Sequence, residues 1–150
     1  MLEDFVKQFT DHHIEYVKIK DNYFLLDRHL NSFRLSQEAT LMGLYLGKEN
    51  GRLFIPSCNL LDIIARYSDE KIFVNEVGEI DFLYGKDLRK RHVTMIQGSQ
   101  MKEKVKLVQN SYDETIGYGI FLGFQKDSSK ILTHRVDRGI FIKRDKQLKK

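Results

Sequence analysis

His12-His13 is the pair in this 150-residue chain that most resembles a metal or acid–base centre. Adjacent histidines on a helix diverge by about 100°, so they do not share one metal without help from elsewhere. His29, His92 and His134 are scattered, and the acid pairs Asp69-Glu70 and Asp113-Glu114 fall where turns are expected. There is no nucleophile elbow, Walker loop or dinucleotide fingerprint. Ile116–Gly119 (IGYG) has two glycines but lacks the strand–helix context of a phosphate loop. The one cysteine, Cys58, excludes a disulfide framework or a Cys-based zinc site within the chain. It reads as a small packed side chain at a helix start. The expectation is a non-catalytic chain with no metal and no cofactor.

The basic residues carry a stronger signal. Residues 1–75 hold nine Lys/Arg against eleven Asp/Glu, a net of −2, while residues 76–150 hold sixteen against ten, a net of +6. Such asymmetry predicts that the second half meets a polyanion. From Arg138 to Lys150 six cations (Arg138, Lys143, Arg144, Lys146, Lys149, Lys150) face one acid, Asp145. A second cluster holds Lys86, Arg89, Lys90 and Arg91, beside Tyr84. Cations at this density neutralise phosphates and release counterions, giving salt-dependent binding with little base information. Exposed aromatics in the same half, with Tyr84, Tyr112, Tyr118 and Phe141 as candidates, would supply stacking on unpaired bases. The bland alternatives are a solvated basic tail and packed core rings.

The elements that must position these groups can be read from periodicity. Leu2, Phe5, Val6 and Phe9 predict a short amphipathic helix. Ile14–Ile19 alternates as a strand, Asp21-Asn22 turns the chain, and Tyr23–Asp27 returns. Asp27 would cap a short helix holding Leu30, Phe33 and Arg34. Leu41–Gly47 and Arg52–Pro56 flank Lys48-Glu49-Asn50-Gly51 as a hairpin. Ser57 caps a helix whose buried stripe is Leu60, Leu61, Ile64 and Tyr67. Lys71–Asn75 is a strand, and Phe82–Val93 reads as one helical turn entering a strand. Lys104–Asn110 alternates, Ile116–Phe124 is a strand whose glycines predict bulges or close backbone approach, and Lys130–Val136 and Gly139–Arg144 read as two closing strands, or a strand and a short turn, of a small barrel. No apolar run reaches the roughly 18–20 residues of a membrane span, and the N-terminus is not a signal peptide. The expectation is a soluble, intracellular chain with no membrane contact.

Leu61–Gly85 (LDIIARYSDEKIFVNEVGEIDFLYG) resembles the middle of the Nip-seven ribosome-assembly factors, through Leu61-Asp62, Ala65, Tyr67, Lys71 and Phe82-Leu83-Tyr84-Gly85. Ile116–Gly119 is similar to that family's Leu-Gly-Phe-Gly strand. His134, Asp137, Gly139, Phe141, Ile142, Lys143 and Arg144 follow its closing pattern. The resemblance implies an α+β fold: an N-terminal α/β (pre-PUA) domain with an antiparallel sheet and helices over residues 1–70, then a PUA-type β pseudo-barrel over residues 71–150. It implies a monomeric RNA-binding factor in pre-rRNA processing and large-subunit assembly. Such a factor prefers U-rich single strands, and its N-terminal domain meets other assembly proteins. The implied RNA contacts are Lys143 and Arg144, with Lys146, Lys149 and Lys150 as companions; the charge reading above adds Arg138, and Lys86, Arg89, Lys90 and Arg91 with Tyr84 as a second set. Lys143 stands where arginine is common in the family, keeping the charge but losing the planar fork. The alternative is a PUA-containing accessory subunit that positions RNA for a modifying enzyme. The short, lysine-rich chain leans to the archaeal branch, which would place it in a cytoplasm; a eukaryotic member would be nucleolar or nuclear.

Overall fold

The first of two units, Met1–Tyr67, opens with helix α1 (Leu2–Val6), whose Leu2, Phe5 and Val6 are buried as their spacing predicts. The computed structural model describes residues 1–26 and 43–139. Strands β1 (Tyr16–Ile19), β2 (Asn22–Leu25), β3 (Tyr45–Asn50) and β4 (Leu53–Pro56) form an antiparallel sheet in that order. The first hairpin turns on Lys20-Asp21, one residue earlier than expected. The second is tighter than expected. Lys48, Glu49 and Asn50 continue β3, and only Gly51-Arg52 turn the chain. Gly51 takes φ +60°, the left-handed region that a two-residue hairpin requires of its first turn residue. The extra ladder pairs win over a longer loop, and Glu49 thereby meets Lys18 Nζ at 2.6 Å and accepts from the Tyr23 hydroxyl.

Side chains alternate across this sheet. Tyr23 meets Phe54 edge-on at 5.5 Å, and Phe5 of α1 reaches the same Phe54 ring at 5.4 Å. Phe24, the next residue along, clusters instead with Val17 and Tyr45. Helix α2 (Cys58–Ala65) begins where Ser57 predicts: its Oγ accepts from the Leu60 N–H at 3.2 Å. Leu60, Leu61 and Ile64 are completely buried. Tyr67 is not on that stripe. The helix ends two residues earlier, so its periodicity no longer directs Tyr67, which is 51% exposed and stacks on His12 at 3.6 Å. The helix expected around Leu30, Phe33 and Arg34 lies outside the described residues.

The second unit, Ser68–Lys150, runs β5 (Lys71–Val74), α3 (Glu76–Leu83), β6 (Leu88–Arg89), a 3-10 turn (Lys90–His92), β7 (Val93–Ile96), β8 (Val105–Gln109), β9 (Thr115–Phe121) and β10 (Lys130–Asp137). Its sheet has the order β6-β10-β9-β8-β5-β7. Among the described strands only β5 and β8 pair in parallel. The outermost strands, β6 and β7, are joined by the three-residue turn, which spans about 6 Å at about 2 Å per residue. The two edges therefore lie close together, and the sheet curls into a nearly closed barrel. Ile72, Val74, Phe82, Leu88, Val108, Phe121, Ile131 and Leu132 fill it.

Two stretches differ from their sequence reading. Phe82 and Leu83 end a two-turn helix that starts at Glu76, capped by Asn75 Oδ1 on the Gly78 N–H at 2.9 Å. Val77 and Ile80 are exposed on α3, so no apolar stripe announced it. The alternation of Lys104–Asn110 predicts one exposed face for β8, yet all five of its residues are buried, so both of its faces are covered. Lys106 is 0% exposed, paired with Glu70 Oε2 at 2.6 Å and donating to the Gln97 carbonyl. The glycines of β9 do mark close approach: a Cβ on Gly119 would collide with Leu132 and the Thr133 carbonyl of β10. Of the expected strand Gly139–Arg144, only Gly139 lies within the described residues. Among the described residues no helix is long and apolar enough to cross a membrane.

Candidate nucleic-acid interface

A groove of about 550 Å³ opens on the second unit, lined by Asp81, Gly85, Lys86, Asp87, Arg89, Arg91 and Lys130. Each comes from a different constraint. Asp81 projects from α3, whose C-terminal end leads through Gly85 to Lys86 and Asp87. Arg89 ends β6, and Arg91 sits in the 3-10 turn. Lys130 arrives on β10, where it pairs directly with Arg89 across the ladder. The volume lies within the roughly 300–1,000 Å³ typical of ligand clefts.

Four cations and two acids line this groove. Lys86 pairs with Asp81 at 2.7 Å, and Lys130 with Asp87 at 2.6 Å. The Lys86 ammonium holds Asp81 below the ordinary carboxylate range. Burial pushes Asp87 up, but Lys130 and the His134 N–H, which donates to Oδ1 at 2.8 Å, outweigh it and hold its carboxyl low. Both acids are thus ionised near neutral pH, and two lysines balance them. Among the described residues neither Arg89 nor Arg91 forms an ion pair with a carboxylate, so the groove keeps a surplus of two guanidinium charges. Arginine presents a planar fork of donors suited to phosphate.

His92 backs this surface. Its Nδ1 lies 3.3 Å from the Arg89 N–H nitrogen and its Nε2 lies 3.2 Å from Arg91 Nε. Burial pushes its pKa down; Asp81 opposes this, while Arg91, Arg89 and Lys86 add to it. The imidazole is neutral at pH 7, and its pKa carries the imprint of the groove's positive potential. Asn75 ties the turn to α3, its Nδ2 donating to the Arg91 carbonyl at 2.9 Å.

Residues 70–146, about half of the chain, match the family model described as the UPF0113 PUA domain. The chain belongs to the UPF0113 PUA domain family. Over 60 residues it is 35% identical to the 60S ribosome subunit biogenesis protein nip7 of Schizosaccharomyces pombe. That match covers 40% of this chain and 33% of the relative, so the chain spans about a third of the curated relative it matches. Among solved structures, a conserved PUA domain protein from Thermoplasma acidophilum superposes with a TM-score of 0.59 at 18% identity, covering 95% of this chain and 89% of that one. A PUA domain from Aeropyrum pernix K1, solved as a tartrate complex, superposes with a TM-score of 0.59 at 13% identity, covering 93% and 80%. These likenesses establish the α+β fold, an antiparallel sheet with helices followed by a PUA-type pseudo-barrel.

The PUA unit gathers some of the sequence-predicted residues and separates others. Lys86, Arg89 and Arg91 converge on the groove. Lys90 points elsewhere, its Nζ donating to the Gln125 carbonyl. Tyr84 caps α3 beside the groove without lining it and is 39% exposed. Arg138 is half-buried past the end of β10, its N–H donating to the Ile116 carbonyl at 3.0 Å, and it does not line the groove. Lys143, Arg144, Lys146, Lys149 and Lys150 lie outside the described residues. Lys130, Asp81 and Asp87 were missed. No local signal places Lys130 beside Arg89, since only the β6–β10 pairing does so. His134, read as scattered, binds Asp137 Oδ2 at 2.5 Å and packs on Phe82. Among the described residues no group of three or more His, Cys, Asp or Glu side chains converges to hold a metal ion.

Proposed function

We propose that this chain is a non-catalytic RNA-binding protein of large-subunit ribosome biogenesis, acting in pre-rRNA processing. The groove carries the reading: a cleft on a PUA unit in which, among the described residues, Arg89 and Arg91 form no ion pair with a carboxylate while Lys86 and Lys130 are already balanced. Phosphates would occupy the two guanidinium forks. By their charge in the sequence we infer that Lys143, Arg144, Lys146, Lys149 and Lys150, with Arg138, are further RNA contacts, and single-stranded, U-rich RNA is the ligand we infer. The name of the nip7 relative supports the ribosomal setting. The chemistry of the groove supports a role without catalysis: both of its acids are held ionised by lysines and the histidine behind it is buried. The pre-PUA domain, residues 1–70, belongs to the acidic half of the chain and is proposed to meet other assembly proteins. The protein acts as a monomer in this reading, in a cytoplasm or nucleolus according to its host.

Binding of a short U-rich RNA across a salt series tests this, comparing the intact chain, Arg89→Ala/Arg91→Ala and a chain ending at Ile142. Each cation removed from the interface lowers the slope of log K against log salt by about 0.7 for a single strand, so the double variant should lose about 1.4. A lower slope in both altered chains supports the two-part surface. An intact protein with no affinity at physiological salt overturns the reading.

A further inference from the structure

We propose that Phe124 is a base-stacking platform that continues the basic groove, an inference that rests on the RNA-binding reading above. Phe124 is 61% exposed in the loop between β9 and β10. A single exposed phenylalanine is commonplace. Two features set this one apart.

Its backbone is held from both sides. The Lys90 N–H donates to the Ser129 carbonyl at 2.8 Å, and Lys90 Nζ donates to the Gln125 carbonyl. The Leu122 N–H donates to the Ile131 carbonyl at 2.8 Å. Gly123 takes φ +74° with the Lys102 stem against its α-carbon, where a Cβ would stand 2.9 Å from Cγ. The ring itself meets buried Phe121 edge-on at 6.3 Å. A ring carried on a fixed loop loses little conformational entropy when a flat partner lands on its open face.

Its surroundings are cationic. The hydrogen bonds of Lys104 and Glu103 with Phe121 bring the β8 approach to this end of the barrel, together with Lys102. Lys126 follows two residues on, and Lys90 is anchored to residue 125. Glu103 and Asp127 are the acids in the same two loops, against lysines 90, 102, 104 and 126. Lys90 stands between Arg89 and Arg91, both of which line the groove. The turn that aims two arginines into the groove therefore also anchors the loop that presents the ring. An apolar face set among cations fits an unpaired base on a polyanionic strand. Tyr112, more exposed still, sits beside Asp113 and Glu114 and lacks this charge setting.

The chain contains no tryptophan, so Phe124→Trp places a single fluorescent reporter on the site. The probes are a U-rich RNA and an abasic strand of the same length and charge. In the expected result Phe124→Ala weakens the U-rich RNA on the order of tenfold, the scale of one stacked base, and leaves the salt slope unchanged. Phe124→Trp retains affinity, its emission responds to the RNA and not to the abasic strand, and Phe124→Ala does not alter abasic binding. If the intact protein binds RNA but Phe124→Ala binds as tightly and Phe124→Trp is silent, the stacking proposal falls while the groove reading stands, and the ring is left to a protein contact. If the intact protein binds neither strand, both fall.

Discussion

His92 has no lining role in the groove, yet its titration should report what the groove holds. Its pKa lies below the ordinary histidine range because burial, and then the arginines and Lys86, disfavour the charged ring. The unfolded chain therefore binds a proton that the folded chain resists, so stability is full above about pH 6.5 and is lost as pH falls through the lowered pKa. His92→Gln should flatten that part of the stability–pH curve, measured by urea denaturation between pH 7 and pH 5. A polyanion in the groove offsets the nearby positive charge, so NMR titration of His92 should show its pKa rising when RNA binds; an unmoved pKa places the RNA elsewhere. Lys106 makes a different case. It is fully buried and its charge is met by Glu70. Lys106→Ala strands the acid and leaves a cavity, costing about 3 kcal/mol, the lower end of the range for breaking a buried pair, since Glu70 is partly exposed. Lys106→Met strands the same acid but keeps the volume, so in the same denaturation experiment it should be spared only the cavity part of that cost.

Helix caps connect the elements to the site. Ser57 and Asn75 each accept one orphan N–H at a helix start, and replacing either by alanine should cost about 1 kcal/mol. Their consequences for binding should differ. Asn75 also donates to the Arg91 carbonyl, so Asn75→Ala loosens the turn that aims Arg91 and should lower RNA affinity; Ser57→Ala, in the other unit, should not. Elements built on local signals were legible in advance. The Ser57 cap, the Gly51 hairpin and the alternation of β1 all depend on residues within a few positions of one another. The start of α3 was missed although Asn75 and two first-turn acids mark it, because Val77 and Ile80 face solvent and erase the apolar stripe. The burial of Lys106 was unreadable because a lysine in an alternating strand signals solvent until a distant glutamate is known to meet it.

At the scale of the molecule, the charge asymmetry marks the second half as the basic one and the groove lies there, while the groove's membership needed the sheet. Lys86, Arg89 and Arg91 are close in sequence and were singled out together, but Lys130 joins them only through β6 and β10. Lys90, inseparable from its neighbours in sequence, turns away because the 3-10 turn directs successive residues apart. The proposed phosphate surface and the barrel are one construction, so loss of the β6–β10 pairing should abolish the proposed groove binding before it unfolds α3. A proline at Leu132, which pairs with Leu88, removes that contact. It should also lower thermal stability sharply, since Leu132 is fully buried in the core, and calorimetry alongside RNA titration separates the two effects by temperature.

The pairing of Arg89 with Lys130 also sets a time at which this protein becomes competent. During synthesis the three groove cations of the 86–91 stretch, Lys86, Arg89 and Arg91, emerge long before Lys130, and among the described strands β6 waits for β10 as its partner in the sheet. A nascent or half-folded chain thus carries the charges without the cleft, and can only cling to RNA diffusely. The shaped groove exists once the last described strand has docked, which makes its geometry a certificate that the barrel is finished.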